Sequence, residues 1–149
     1  MAKSERFQKG AAKMKELFGA EPQPGMMQED FLNITVENLF GDIWNRPGLE
    51  LRERSMITVA ALTVLARERE LKTHLRGALN AGISREKINE IMIHLAHYGG
   101  WPVGVNGLNR LNVFGQDPHP DPPPFRGREG AAATLFPPPK RGRNKVGVK

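Results

Sequence analysis

The sequence predicts an all-α fold, and three observations carry that prediction. Apolar residues recur at three- and four-residue spacing between Ser4 and Phe114. No stretch joins strand length to strict two-residue alternation. Gly19, Pro47, Gly48, Gly82, Ser84 and Pro102 fall where the periodic runs begin or end. A length of 149 residues suits one domain. The expected organisation is an N-terminal helix and loop over 1–27, a helical domain over 28–116 and an extended, proline-rich, basic tail over 117–149.

Ser4 to Leu17 forms a basic amphipathic helix closed by Gly19, and residues 20–27 form a Pro/Gly loop. Gln28 to Trp44 is a second helix, with Glu29 and Asp30 near its start, where the helix dipole favours acids, and Gly41 as a break before Trp44. "NRPGLEL" is a turn. Arg52 to Ala66 is so rich in Met, Ile, Val, Leu and Ala that it is expected to be the most buried helix. Glu70 to Asn80 follows, then "AGIS", in which Gly82 suits a left-handed C′ position and Ser84 an N-cap. Lys87 to Tyr98 turns Ile88, Ile91, Met92 and Leu95 to one side, with Tyr98 at the edge, and turns Glu90, His94 and His97 away. Val103 to Phe114 is the last helix, with Pro102 in its first turn. Residues 117–149 hold most of the twelve prolines and show no apolar periodicity.

Composition narrows the function. The chain has no cysteine, which excludes disulfides, thiolate metal sites and cysteine redox chemistry. It also suits a cytoplasmic protein. No apolar run nears the ~20 residues that span a membrane, and "MAKSERFQKGAAKMKELFG" lacks the apolar core of a secretory signal. The net charge is +6, of which the tail from Asp117 carries +4 (seven Lys/Arg against three acids). The helical part therefore offers no obvious basic patch, which argues against a nucleic-acid partner.

Few residue groups suggest chemistry. Glu90, His94 and His97 share one helix face and have donor types that suit zinc or iron. They do not form the HExxH arrangement, and helical histidines at this spacing are common, so no metal is expected. His74 lies two residues before Arg76, which pairs a group that titrates near neutral pH with a bidentate carboxylate binder. The ordinary alternative is two surface residues. Ser4, Ser55 and Ser84 are the only serines, and none sits in a nucleophile elbow. Phosphate-cradling glycine loops are absent.

Three blocks then add a resemblance: R-x-R-S-x-I-T-V-A-A-L-T from Arg52, "ELKTHLRGALNAGIS" from Glu70, and H-x-A-x-Y-G-G-W-P from His94. Together they resemble the carboxymuconolactone decarboxylase family of the alkylhydroperoxidase D-like superfamily, over about Trp44 to Phe114. The resemblance implies an alkylhydroperoxidase D-like helical bundle, assembled as a trimer or hexamer with sites near subunit boundaries. The superfamily's peroxidase branch places a C-x-x-C pair before a helical histidine. His74 falls at that histidine, but the preceding positions include Arg67 and Glu70. The cysteine-free decarboxylase branch remains.

That branch implies a small carboxylate substrate and no cofactor. In 4-carboxymuconolactone, loss of CO₂ leaves electrons that spread through the alkene to the lactone carbonyl as a dienolate. The protein has to orient the carboxylate, stabilise the oxyanion, exclude water and deliver a proton. The resemblance assigns His74 as proton donor or oxyanion stabiliser, with Glu53 and Glu90 as bases or orienting groups. Arg54 and Arg76 would hold carboxylates, and His94, Tyr98 and Trp101 would line the pocket. Family decarboxylases often read Y-x-G-x-P-A-A-N after the helix; this chain reads Tyr98-Gly-Gly-Trp-Pro-Val-Gly-Val105, with asparagine at 106. The alternatives are isomerase, cyclase or retro-aldol chemistry through a similar enolate, or a non-catalytic oligomeric binding protein.

Overall fold

The computed structural model describes residues 3–113. The expected tail over 117–149, and Phe114, lie outside the described residues. Among those described, all regular structure is helical, in the order α1 (Glu5–Phe18), α2 (Glu29–Ile34), a π-helical segment (Thr35–Asp42), a 3₁₀ turn (Ile43–Asn45), α3 (Leu51–Val64), α4 (Glu68–Asn80), α5 (Arg85–Gly99) and α6 (Trp101–Val113).

Side chains and glycines at the helix ends explain the boundaries. The Ser4 hydroxyl accepts from the Phe7 amide at 3.0 Å, and Gly19 closes α1 in the left-handed region at φ 78°. At the start of α3 the Glu53 carboxylate accepts from the Glu50 amide at 2.8 Å, while the Glu50 side chain caps the Glu53 amide. Gly82 adopts φ 76° and the Ser84 hydroxyl caps α5, as the "AGIS" stretch predicts.

Two apolar clusters hold the helices together. Phe7, Met14 and Leu17 of α1 pack with Leu32, Val36, Phe40 and Trp44. Val59 of α3 packs with Leu71, Leu75 and Ala78 of α4, Ile88 and Met92 of α5, and Leu111 of α6. Helix α4 belongs to the second cluster and also touches α1: the Asn80 amide donates to the Leu17 carbonyl at 3.1 Å, and a Cβ at Gly77 would sit 3.0 Å from Leu17 Cγ.

Three expectations need correction. Residues 28–44 are not one α-helix broken by Gly41. The chain instead widens into a π-helix, and Gly41 is buried inside it. Backbone contact is the physical reason. A Cβ at Gly41 would lie 2.6 Å from the Arg6 carbonyl, and a Cβ at Gly10 would collide with the Val36 carbonyl oxygen. The Arg6 guanidinium grips Asp42 across the same crossing, and the Asn45 amide donates to the Phe40 and Gly41 carbonyls at 2.7 and 3.1 Å. Those carbonyls are thereby satisfied where the ordinary helical ladder is interrupted.

Helix α3 is not the most buried helix. Only Ser55, Val59 and Thr63 are buried, while Ile57, Val64 and Leu65 are exposed. Its sequence is apolar on every side, but the chain covers only one side. Tyr98 does not close the apolar stripe of α5 and is 77 % exposed. Gly100, at φ 97°, turns the chain into α6 immediately after that last turn of α5.

The crossing makes a direct prediction. Gly10→Ala forces α1 off the π segment and lowers stability by about 1–3 kcal/mol, as overpacking does, read as a lower urea midpoint. Gly48→Ala, which meets nothing within 4 Å, leaves the midpoint essentially unchanged.

Candidate active site

His74 occupies the most distinctive environment among the proposed residues. On α4 it lies one turn from both Leu71 and Ala78, beside the buried stripe those residues share with Leu75. The Phe18 ring stands edge-on to the imidazole, with centroids 5.2 Å apart, and Trp44 lies nearly parallel to it at 6.2 Å. Phe40 connects the two walls, 5.7 Å from Phe18 and 5.6 Å from Trp44. His74 thus sits half-buried beside α1 and the segment from Phe40 to Trp44, and its Nδ1 is buried without a hydrogen-bond partner.

Burial pushes the imidazole below its ordinary pKa of 6.5, and the Glu70 carboxylate one turn earlier opposes the shift only in part. The ring is therefore neutral at neutral pH. A neutral imidazole keeps one donor and one acceptor nitrogen, which suits proton transfer.

Two further unpartnered buried atoms lie on the adjoining helix. Arg54 is half-buried; a terminal nitrogen donates to the Arg46 carbonyl at 2.7 Å, and its Nε has no partner. Ser55 is fully buried, and its hydroxyl has no partner either. Ser55 was absent from the candidates read from sequence. A mid-helix serine carries no local signal, and only its burial and its unpartnered hydroxyl single it out.

The remaining candidates fall elsewhere. Arg76 is half-buried and engaged with neighbours of its own. Glu53 serves the capping box of α3 and is exposed. Glu90 is exposed on α5. His94 and Tyr98 pair their rings at 4.8 Å, and His97 stands edge-on to Trp101 at 6.2 Å. All four of these rings face outward, with Trp101 69 % exposed. Within one chain, then, the α5 face is not brought to His74, whose ring contacts are to Phe18 and Trp44.

Other features of the surface lead away from this site. An open cleft of about 700 Å³ between α1 and the π segment is lined by Arg6, Lys9, Lys13, Asp42 and Arg46, and contains none of the candidates. Several of its charges already neutralise each other, as in Arg6–Asp42 and Lys13–Glu16. Among the described residues no cluster of three or more His, Asp or Glu is placed to hold a metal ion, and no helix is long and apolar enough to cross a membrane.

The α3–α4 hairpin thus carries a half-buried histidine, in a chain without cysteine. The chain belongs to the carboxymuconolactone decarboxylase family, whose profile matches residues 29–111. It is similar to 4-carboxymuconolactone decarboxylase of Acinetobacter baylyi, 34 % identical over 89 residues, which cover 60 % of this chain and 66 % of that protein. It is also similar to nitrosuccinic acid decarboxylase npaB of Metarhizium robertsii, 33 % identical over 75 residues, covering 50 % of this chain and 52 % of the relative. An uncharacterised 15.0 kDa protein of Paracoccus denitrificans is 35 % identical over 75 residues, covering 49 % and 56 %. The matches thus span between half and two thirds of the curated relatives. Helix α1, and with it Phe18, precedes the stretch that the family profile matches.

The environment of His74 predicts a pH dependence. The folded protein holds the His74 proton less tightly than the unfolded chain, so its contribution to stability is complete above about pH 6.5 and declines as pH falls towards the folded value. Urea midpoints measured from about pH 7.5 to about pH 5 should show this decline, and His74→Gln should flatten that part of the profile.

Proposed function

We propose that the protein is a cofactor-independent decarboxylase of a small carboxylic acid, 4-carboxymuconolactone or a similar carboxylated lactone or keto acid, with His74 as proton donor. The observation that carries this reading is the half-buried, neutral imidazole with an unpartnered nitrogen, held against Phe18 and Trp44. Two relatives named as decarboxylases support the reaction class.

The chemistry follows from the surroundings of the ring. A substrate carboxylate entering beside the imidazole favours its protonated form, so binding draws a proton onto His74. The bond to the carboxylate carbon then breaks, CO₂ leaves, and the electron pair moves through the alkene onto the lactone carbonyl oxygen. The imidazolium gives its proton to the dienolate carbon and returns to its neutral state. Apolar walls exclude water, which strengthens the electrostatic interactions that hold the dienolate. Arg54 and Arg76 supply positive charge on the same helical hairpin for substrate carboxylates.

The second part of the proposal is a homo-oligomer, a trimer or hexamer, in which a neighbouring subunit brings His94, Tyr98 and Trp101 towards the site. Its support is the uncovered apolar surface: Ile57, Val64 and Leu65 on and just after α3, Ile93 on α5, Trp101 and Val105 on α6. Sedimentation should give a species larger than one chain, and Ile57→Glu should shift it towards monomer with helicity retained. A wild-type monomer removes this part of the proposal.

Released CO₂ tests the reaction. With 4-carboxymuconolactone, and with nitrosuccinic acid as the second substrate, the wild-type chain should release one CO₂ per acid consumed. His74→Ala and His74→Gln should each lower turnover by about 10²–10⁴-fold, the usual contribution of a positioned acid or base. Full turnover in both variants overturns the role of His74. Lactone consumption without CO₂ would instead favour an isomerase, cyclase or retro-aldol reaction on the same scaffold.

A further inference from the structure

Ser55 and Thr63 share the buried stripe of α3, two turns apart, yet they treat their hydroxyls differently. Thr63 is satisfied within its own helix: its Oγ1 donates to the Val59 carbonyl at 2.8 Å and lies 3.6 Å from the Met92 sulfur. The same back-bond is open to any serine inside a helix. Ser55 does not make it, although it is 0 % exposed. A hydroxyl buried away from water with no partner costs free energy unless something else satisfies it.

The position of Ser55 indicates what that partner is. Helices α3 and α4 form an antiparallel hairpin, with α3 ending at Val64 and α4 starting at Glu68. Ser55 lies nine residues before that turn and His74 six residues into α4. At about 1.5 Å of rise per residue the two are level to within about one helical turn. Among the described residues, the buried side-chain polar atoms without a partner are Arg54 Nε, Ser55 Oγ and His74 Nδ1. All three lie on this hairpin. Arg54 is in turn tied to the Arg46 carbonyl, two residues beyond the Trp44 that stacks on His74.

We infer that Ser55 is a further substrate-binding residue of the α3–α4 hairpin that carries His74, and that its hydroxyl, together with Arg54 Nε–H, donates a hydrogen bond to an anionic oxygen of the bound carboxylic acid. Both groups are donors, and neither has an acceptor in the chain. An oxygen anion is the ligand chemistry that satisfies both at once, and His74 then faces the same molecule. The inference rests on the proposed reading that His74 marks the substrate site; it does not depend on which reaction follows.

The test uses the full-length chain with Ser55→Ala and Ser55→Cys, the second preserving volume with a weak donor. No protein group bonds to the Ser55 hydroxyl, so both variants should keep the wild-type melting temperature or exceed it. Turnover should nevertheless fall: kcat/KM for CO₂ release from 4-carboxymuconolactone drops by about 10²-fold, as when one donor to a developing oxyanion is removed. Wild-type kcat/KM at an unchanged melting temperature overturns the inference, and so does a loss that follows a lowered melting temperature. If the wild-type chain releases no CO₂ from this acid, the decarboxylase reading fails separately, and Ser55 is judged by binding alone. The probe is then succinate, followed by the NMR shifts of the His74 ring. Affinity weakened at least ~10-fold in Ser55→Ala supports the inference. Equal affinity, or no succinate-dependent shift of His74 in the wild type, overturns it.

Discussion

Helix α1 crosses the π segment so closely that two glycines, Gly10 and Gly41, place backbone against backbone. Much of the structure around His74 depends on this contact. A π-helix is a rare conformation, found mostly as single-turn bulges inside α-helices. Here the crossing holds it, through the Arg6–Asp42 ion pair and the Asn45 amide on the Phe40 and Gly41 carbonyls. Phe40 is part of the π segment and Trp44 lies in the 3₁₀ turn that ends it. Phe18 ends α1. The residues that surround the imidazole are therefore set by an encounter between two backbones, not by the helix that carries the histidine.

The electrostatics of the site follow from that packing. An imidazole in water would be partly charged near its ordinary pKa of 6.5, and the carboxylate of Glu70 alone would favour the charged form further. The surrounding rings and helices reverse this preference by removing water. In the proposed role, this neutral ring gains its proton when a substrate carboxylate binds beside it.

The fold was legible in the sequence wherever the determining interaction is local. Ser4, Gly19, Gly82 and Ser84 stop or start helices through their own side chains or backbone freedom, and each stands where its residue type predicts. His74 stood out in the sequence through its place in the "ELKTHLRGAL" block, not through any local chemical signal, and its catalytic role is a proposal. The π segment was not legible, because it depends on α1 arriving some thirty residues away in sequence, at Val36 and Gly41. Phe18 and Trp44 were not legible as partners of His74 for the same reason. Ser55 reads as an ordinary mid-helix serine until its buried, unpartnered hydroxyl is seen.

Helix α3 shows why pattern and burial diverge. Hydrophobic residues all round a helix usually mean that it is covered all round. In the isolated chain only the stripe of Ser55, Val59 and Thr63 is covered, while Ile57 and Val64 meet water. The two statements agree if the pattern describes the assembled protein and the burial describes one subunit. The outward rings of α5 fit the same view: His94 and Tyr98 pair with each other, His97 with Trp101, on a helix whose opposite side carries Ile88 and Met92 at 0 % exposure. A surface that is apolar on α3 and rich in imidazole and aromatic rings on α5 and α6 has the composition of an interface. In the proposed homo-oligomer the polar set of one subunit would complete the His74 site of the next, and a pocket shared by these residues would be built from two subunits.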